Sequence, residues 1–171
     1  MPRIQRIEKT VYKFEELLED TQRKAIENLY DLNVDYEWWD SVYEDADRAG
    51  IKLTSFDLGR AQNIDGELIT SLSESIKAIL NEHGKDCETY KTAAGYQDEL
   101  DKIETALRLE GIDEDEADKQ REELEAQYLK DILQDYYYML KREYEYQTSE
   151  EAIRESIEAN EYEFDEDGNL A

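Results

Sequence analysis

The chain has 171 residues, and its 46 Asp and Glu against 20 Lys and Arg leave a net charge of -26. So large a negative field disfavours direct contact with DNA, RNA or an anionic membrane, and it favours fast, salt-sensitive association with a basic partner. Thirteen Tyr, two Trp and three Phe set the chain apart from disordered acidic tails, which lack such residues to bury.

A length near 170 residues fits one domain, 1–171, and is long enough to bury a real core. The single Cys cannot form an intramolecular disulfide, which points to a reducing compartment. No signal peptide, membrane-spanning run or lipidation signal is legible. The expectation is a soluble cytoplasmic protein.

The first expected element is a strand over 6–14, from the alternation in "RIEKTVYKF". Ala25, Ile26, Leu29, Tyr30 and Leu32 then recur near helical spacing and predict a helix over 19–32, stopped at Asn33. The stretch "VDYEWWDSVYEDA" predicts a helix over 36–49, capped by Asp35 and ended by Gly50. Trp39, Val42, Tyr43, Ala46 and Ala49 share one face of it and read as core. Trp38 falls about 100° away, at the border of that face, where an indole can pack its ring or serve as an apolar anchor for a partner.

"IKLTSFDL" and "GELITSL" read as antiparallel strands over 51–58 and 66–72. A short helix capped by Ser73 follows, burying Ile76, Ile79 and Leu80 and closing at Gly84; together these elements make up a sheet-containing part, 1–85. Over 86–109, Ala93, Tyr96, Leu100, Ile103 and Leu107 step by three and four. After Gly111, Asp113 with Glu116 three residues on signals the start of a longer helix. Its apolar face is Leu129, Ile132, Leu133, Tyr136, Tyr137, Leu140 and Tyr144, and the two helices predict an antiparallel hairpin, 86–148. The remainder, 149–171, predicts a helix capped by Ser149 and a short strand before an Asp-Gly turn. The fold class is α+β: a helix-rich single domain with a small antiparallel sheet and a long helical hairpin.

Two constellations invite chemistry, and each reads better as structure. His83 and Cys87 stand four apart, but Gly84 interrupts the helix that would align them, and two soft ligands do not complete a metal site. They read as a cap-region His and a buried thiol. "EFDEDG" opens like a calcium loop, yet the required twelfth-position Glu falls beyond residue 171, so it reads as a solvated turn. No HExxH, P-loop, nucleophile elbow or glycine-rich phosphate cradle occurs. The expectation is a protein with no cofactor, no metal and no catalytic residues.

Charge is the stronger signal because it is uneven. Residues 1–95 hold 20 acidic and 12 basic side chains, whereas 96–171 hold 26 and 8. Over 113–126, "DEDEADKQREELEA", eight acids and two bases span about 21 Å of helix. That is one net charge per roughly 3.5 Å, close to the ~3.4 Å spacing along one DNA strand. Glu114, Asp115, Asp118, Glu122, Glu123 and Glu125 are the candidate partner-binding carboxylates, with Trp38 beside them as a candidate anchor.

The segments "TVYKFEEL", "KAIENLYDLNVDYEWWDSVYEDA", "NEHGKDCETYKTA" and "SEEAIRESIEANEYEFDEDG" resemble a group of small acidic proteins carried by bacteriophages and prophages, with "YEWWDSVYEDA" the most recognisable part. The resemblance implies a phage origin and a bacterial host cytoplasm; it carries no site residues. By analogy with phage inhibitors of host defence, of anti-restriction and anti-CRISPR type, it suggests a non-enzymatic DNA mimic that occludes the basic nucleic-acid groove of a host immune nuclease. The alternatives are a homodimeric scaffold joined through the tyrosine-rich helix face and, third, a metal-dependent enzyme.

Overall fold

A computed structural model describes all 171 residues. The fold is α+β and rich in helix. It comprises β1 (Tyr12–Lys13), α1 (Glu19–Asn28), α2 (Asp40–Arg48), β2 (Ile51–Asp57), β3 (Asn63–Leu68), α3 (Leu72–Glu82), α4 (Glu88–Thr105), α5 (Glu114–Gln147), α6 (Glu150–Ala159) and β4 (Glu163–Phe164). Two antiparallel sheets of two strands each pair β1 with β4 and β2 with β3.

The chain packs as two compact units: a flanking unit, 1–38 with 143–171, and a middle unit, 39–142. These boundaries fall elsewhere than the 85/86 and 148/149 divisions drawn from the sequence. They also cut α5, whose last five residues belong to the flanking unit.

In the flanking unit, Phe14, Leu17, Ala25, Ile26, Ile153, Ile157 and Phe164 form one buried cluster. Tyr12 pairs with Phe164 and Lys13 with Glu163. The expected strand over 6–14 therefore shrinks to two residues, because β4 offers only two partners and residues 1–11 lack regular structure. α1 stops at Asn28 rather than Leu32. A series of turns follows to Val34, and Asn33 is buried there, donating to the Gln147 carbonyl (3.1 Å) and accepting from Ser156 (2.6 Å). Ser149 caps α6 as expected, its hydroxyl accepting from the Ala152 N–H.

In the middle unit, α2 begins at Asp40, not 36, and Asp35 caps nothing; the cap position falls to Trp39, whose carbonyl accepts from Val42 and Tyr43. Trp39 is accordingly half-buried rather than core, with its ring edge-on to Phe56 (5.8 Å). Trp38, one residue earlier, belongs to the flanking unit and tilts against Tyr144 (5.5 Å). Gly50 ends α2 as expected. Its φ of +76° suits a residue without Cβ, and a Cβ there would meet the Thr70 hydroxyl at 2.1 Å.

The sheet shifts towards its turn. Asp57 accepts from the Gly59 N–H (2.7 Å) and the Ala61 N–H (3.4 Å), closing a tight connection that lets β3 start at Asn63 instead of 66. Downstream, Ser71 rather than Ser73 caps α3, accepting from the Glu74 N–H (3.2 Å) and drawing residues 71 and 72 out of the expected strand. α4 gives way to a π-helical turn, Ala106–Glu110, before Gly111 at φ +81°. Asp113 caps α5 by accepting from the Glu116 N–H (2.8 Å). Side-chain hydrogen bonds join Thr92 to Asp135, Tyr96 to Asp131 and Arg121 to Glu104. One partner number falls as the other rises, the order that antiparallel helices require.

Candidate functional site

The six candidate carboxylates lie on the first twelve residues of α5, 114–125, and all are exposed. At 100° per residue, Glu114, Asp115, Asp118, Glu122 and Glu125 fall within about a 100° arc, and Glu123 lies off it. Ala117 and Tyr128, both fully buried, lie about 40–60° beyond the Glu114 edge of that arc and hold the helix to the core.

They are not equivalent. Arg121 bonds Glu104 of α4 through both Nε (3.2 Å) and a terminal nitrogen (2.6 Å), and it also reaches Asp118 (3.0 Å) and Glu114 (3.9 Å). One guanidinium thus serves three carboxylates, and its neighbours hold its pKa above the usual value, the hydrogen bond it donates to Glu104 foremost. Asp115, Glu122, Glu123 and Glu125 have no basic side chain within ion-pairing distance. The sequence supplied these four but not the Arg121 hub, whose main partner is 17 positions away and becomes visible only once the register of α4 against α5 is known. Trp38 belongs to the flanking unit, and the six carboxylates belong to the middle unit.

A second constellation is buried in the middle unit. The Asp45 carboxylate accepts from the Tyr136 hydroxyl (2.8 Å) and faces His83 Nε2 (3.1 Å), while His83 Nδ1 meets the Thr89 hydroxyl (2.5 Å). Burial, the largest single influence, pushes the Asp45 carboxyl up, but the hydrogen bonds from His83 and Tyr136 together with the charges of His83 and Arg48 outweigh it and hold the group below the usual range. Nearby, Ser75 donates to the Ala49 carbonyl (2.6 Å), so Tyr128 donates its own hydrogen to Ser75 (2.7 Å). Burial pushes the Tyr128 phenol up to about 12.

Hydroxyl, imidazole and carboxylate in that order share the connectivity of a nucleophilic triad. Accessibility separates the two cases: Thr89 is 1% exposed and the His83 side chain 8%, so no substrate reaches the hydroxyl. With the Tyr136 hydroxyl, the three groups form a satisfied polar network that ties α2, α3, α4 and α5 together. His83 is the cap-region residue expected, at the end of α3. Cys87 departs from expectation: it is exposed, because it occupies the N-cap of α4 and not a buried helical position.

Three further features bear on the site. Nowhere do three His, Cys, Asp or Glu side chains converge to hold a metal ion. In the "EFDEDG" turn, Asp165 accepts from the N–H groups of Asp167 and Asn169 (2.9 Å each), which is turn chemistry. On the tyrosine-rich helix α5, Tyr128, Tyr136 and Tyr137 are buried, whereas Tyr138 and Tyr146 are exposed. No helix is long and apolar enough to cross a membrane.

Compared with known proteins, this chain matches no family model, no curated protein and no solved structure.

Proposed function

We propose that this protein is a non-enzymatic, phage-derived inhibitor of a host defence nuclease, of CRISPR or restriction type. It imitates nucleic acid by presenting the acidic arc of α5 to a basic DNA- or RNA-binding groove. The observation that carries the reading is the set of unpaired, exposed carboxylates Asp115, Glu122, Glu123 and Glu125 on a helix backed by a buried core. Exposed Asp101 on α4, which lines one cleft with Glu125, extends the same negative surface. A preorganised array at a charge spacing near that of a DNA strand releases the counterions of a basic groove much as phosphate does. It does so with no chemistry of its own, and occlusion is the whole mechanism.

The triple reversal of Glu122, Glu123 and Glu125 to Lys tests it. Exposed substitutions of this kind move stability by about 0.5 kcal/mol or less, so thermal unfolding should stay near wild type. Capture of a basic nucleic-acid-binding protein from bacterial lysate at low salt should disappear in the variant, and added duplex should displace the captured protein from the wild type. A variant that still captures the same protein removes this surface from the mechanism.

A further inference from the structure

One segment runs against the charge of the whole chain. Residues 1–11 carry Arg3, Arg6 and Lys9 with a single acid, Glu8, and Lys13 follows in β1. They form no regular structure, and every one of them is exposed. Ile4 is 96% and Ile7 79% exposed, and Val11 is also uncovered. Branched apolar side chains left wholly in water are unfavourable, at about 25 cal/mol per Å² that could be buried.

Their spacing is ordered. Were 3–11 to wind into a helix, Ile4, Ile7 and Val11 would fall within about 60° of one another, and Arg6 and Lys9 would lie opposite, with Arg3 at the border. The sequence therefore encodes a basic amphipathic helix that the isolated chain does not form, as expected of a short segment lacking a surface to pack on.

A surface of matching chemistry lies on the middle unit. Between the start of α3 and the facing parts of α4 and α5 is an open cleft of about 400 Å³, with Leu72 and Leu100 as its apolar lining and Asp101, Glu104 and Glu125 as its acids. This wall already holds a guanidinium, since Glu104 takes two nitrogens of Arg121. We infer that residues 1–11 of one copy, ahead of β1, fold as a basic amphipathic helix into the α3–α4–α5 cleft of a second copy, so that the protein self-associates through this segment. The helix would set Ile4 and Ile7 on Leu100 and direct Arg6 and Lys9 to Asp101 and Glu125. The chain's net charge disfavours an anionic membrane as the alternative surface, and the cleft supplies both the acid and the apolar contact the segment lacks. This inference does not rest on the mimic reading, and its test reads mass, not inhibition.

Sedimentation equilibrium of the full chain at low salt should show reversible association that weakens at least tenfold between about 50 and 200 mM salt, as a contact made by several charge pairs does. Ile4→Ser with Ile7→Ser should weaken it a further tenfold without altering charge. Arg6→Glu with Lys9→Glu should leave a monomer, and so should Asp101→Lys with Glu125→Lys. Mixing those two charge-reversed proteins should restore a complex of one with the other. All these positions are exposed, so circular dichroism should show the fold unchanged. A wild type that stays monomeric throughout, association that survives Arg6→Glu with Lys9→Glu, or a mixture that fails to pair overturns the inference. So does segment-dependent binding to phosphatidylglycerol vesicles in place of self-association.

Discussion

The two compact units carry equal charge and unlike cores. Each has a net charge of -13, from 20 acids and 7 bases over 67 residues in the flanking unit and from 26 and 13 over 104 in the middle unit. The smaller unit meets this denser repulsion with an almost purely apolar cluster, Phe14 edge-on to Phe164 (6.1 Å) among Leu, Ile and Ala, with Asn33 as its one buried polar residue. The larger unit buries hydroxyls among its aliphatic side chains as well: Tyr128, Tyr136, Ser75 and Thr89 are all nearly or wholly enclosed, and each finds a partner. No buried side-chain polar atom in the chain goes unsatisfied. A core of the first kind is specified by shape, and one of the second kind by shape and by who bonds to whom.

That contrast can be broken from either side. Phe164→Ala should cost the flanking unit about 3–5 kcal/mol, because a fully buried ring leaves a cavity and no polar bonds compensate. Denaturant unfolding in a Trp39→Phe background, where Trp38 against Tyr144 is the only indole, reads it. A loss below about 1 kcal/mol would mean that the cluster collapses around the gap. In the middle unit Tyr136→Phe keeps the ring and deletes only the hydroxyl that reaches Asp45. Its expected cost is about 1.5–3 kcal/mol, the range for a hydrogen bond to a charged group. A silent Tyr136→Phe would show that the hydroxyl network does not set the stability of this unit.

The same contrast explains what the sequence makes legible. Periodicity identified Ile132, Leu133, Tyr136, Tyr137 and Leu140 because apolar positions on a long helix declare one face, and caps at Asp113 and Ser149 rest on local bonds readable within four residues. Tyr128 escaped, although it is fully buried, because its hydroxyl is satisfied by Ser75, 53 positions away. β1 was overdrawn because strand length depends on the partner, and β4 is remote in sequence and two residues long. One helix over 36–49 would carry Trp39 on its core face and Trp38 at the border of that face, whereas the turn before α2 leaves Trp38 and Trp39 in different units. At the candidate site the exposed acids were legible from density alone. Arg121, which neutralises some of them, was not, because its bonds depend on how two helices register.

The smallest expected effect concerns Asp135, and it separates two half-buried carboxyls of the middle unit that local sequence does not distinguish. Burial raises the Asp135 carboxyl above its ordinary value of 3.8, and the nearby Glu88 and Asp131 push the same way; the hydroxyl of Thr92 (2.6 Å) offsets this only in part. A carboxyl raised in the fold favours the folded state most when protonated, so its contribution is full below the ordinary value and fades as pH rises through the folded one. Asp45, held low by His83 and Tyr136, has the opposite sign: its contribution stands above the ordinary value and is lost as pH falls through the folded one. Asp135→Asn keeps an oxygen for Thr92 and removes the charge. At pH 7 it should therefore equal or slightly exceed the wild type in thermal stability, and the gap should close on acidification as Asp135 takes up its proton. Asp45→Asn should instead lose stability at pH 7, with its deficit shrinking in acid. Parallel pH series of melting temperature for the two variants check both signs. If Asp135→Asn is clearly destabilised at pH 7, the ionised carboxylate is a favourable partner of Thr92 in spite of its burial and its acidic neighbours.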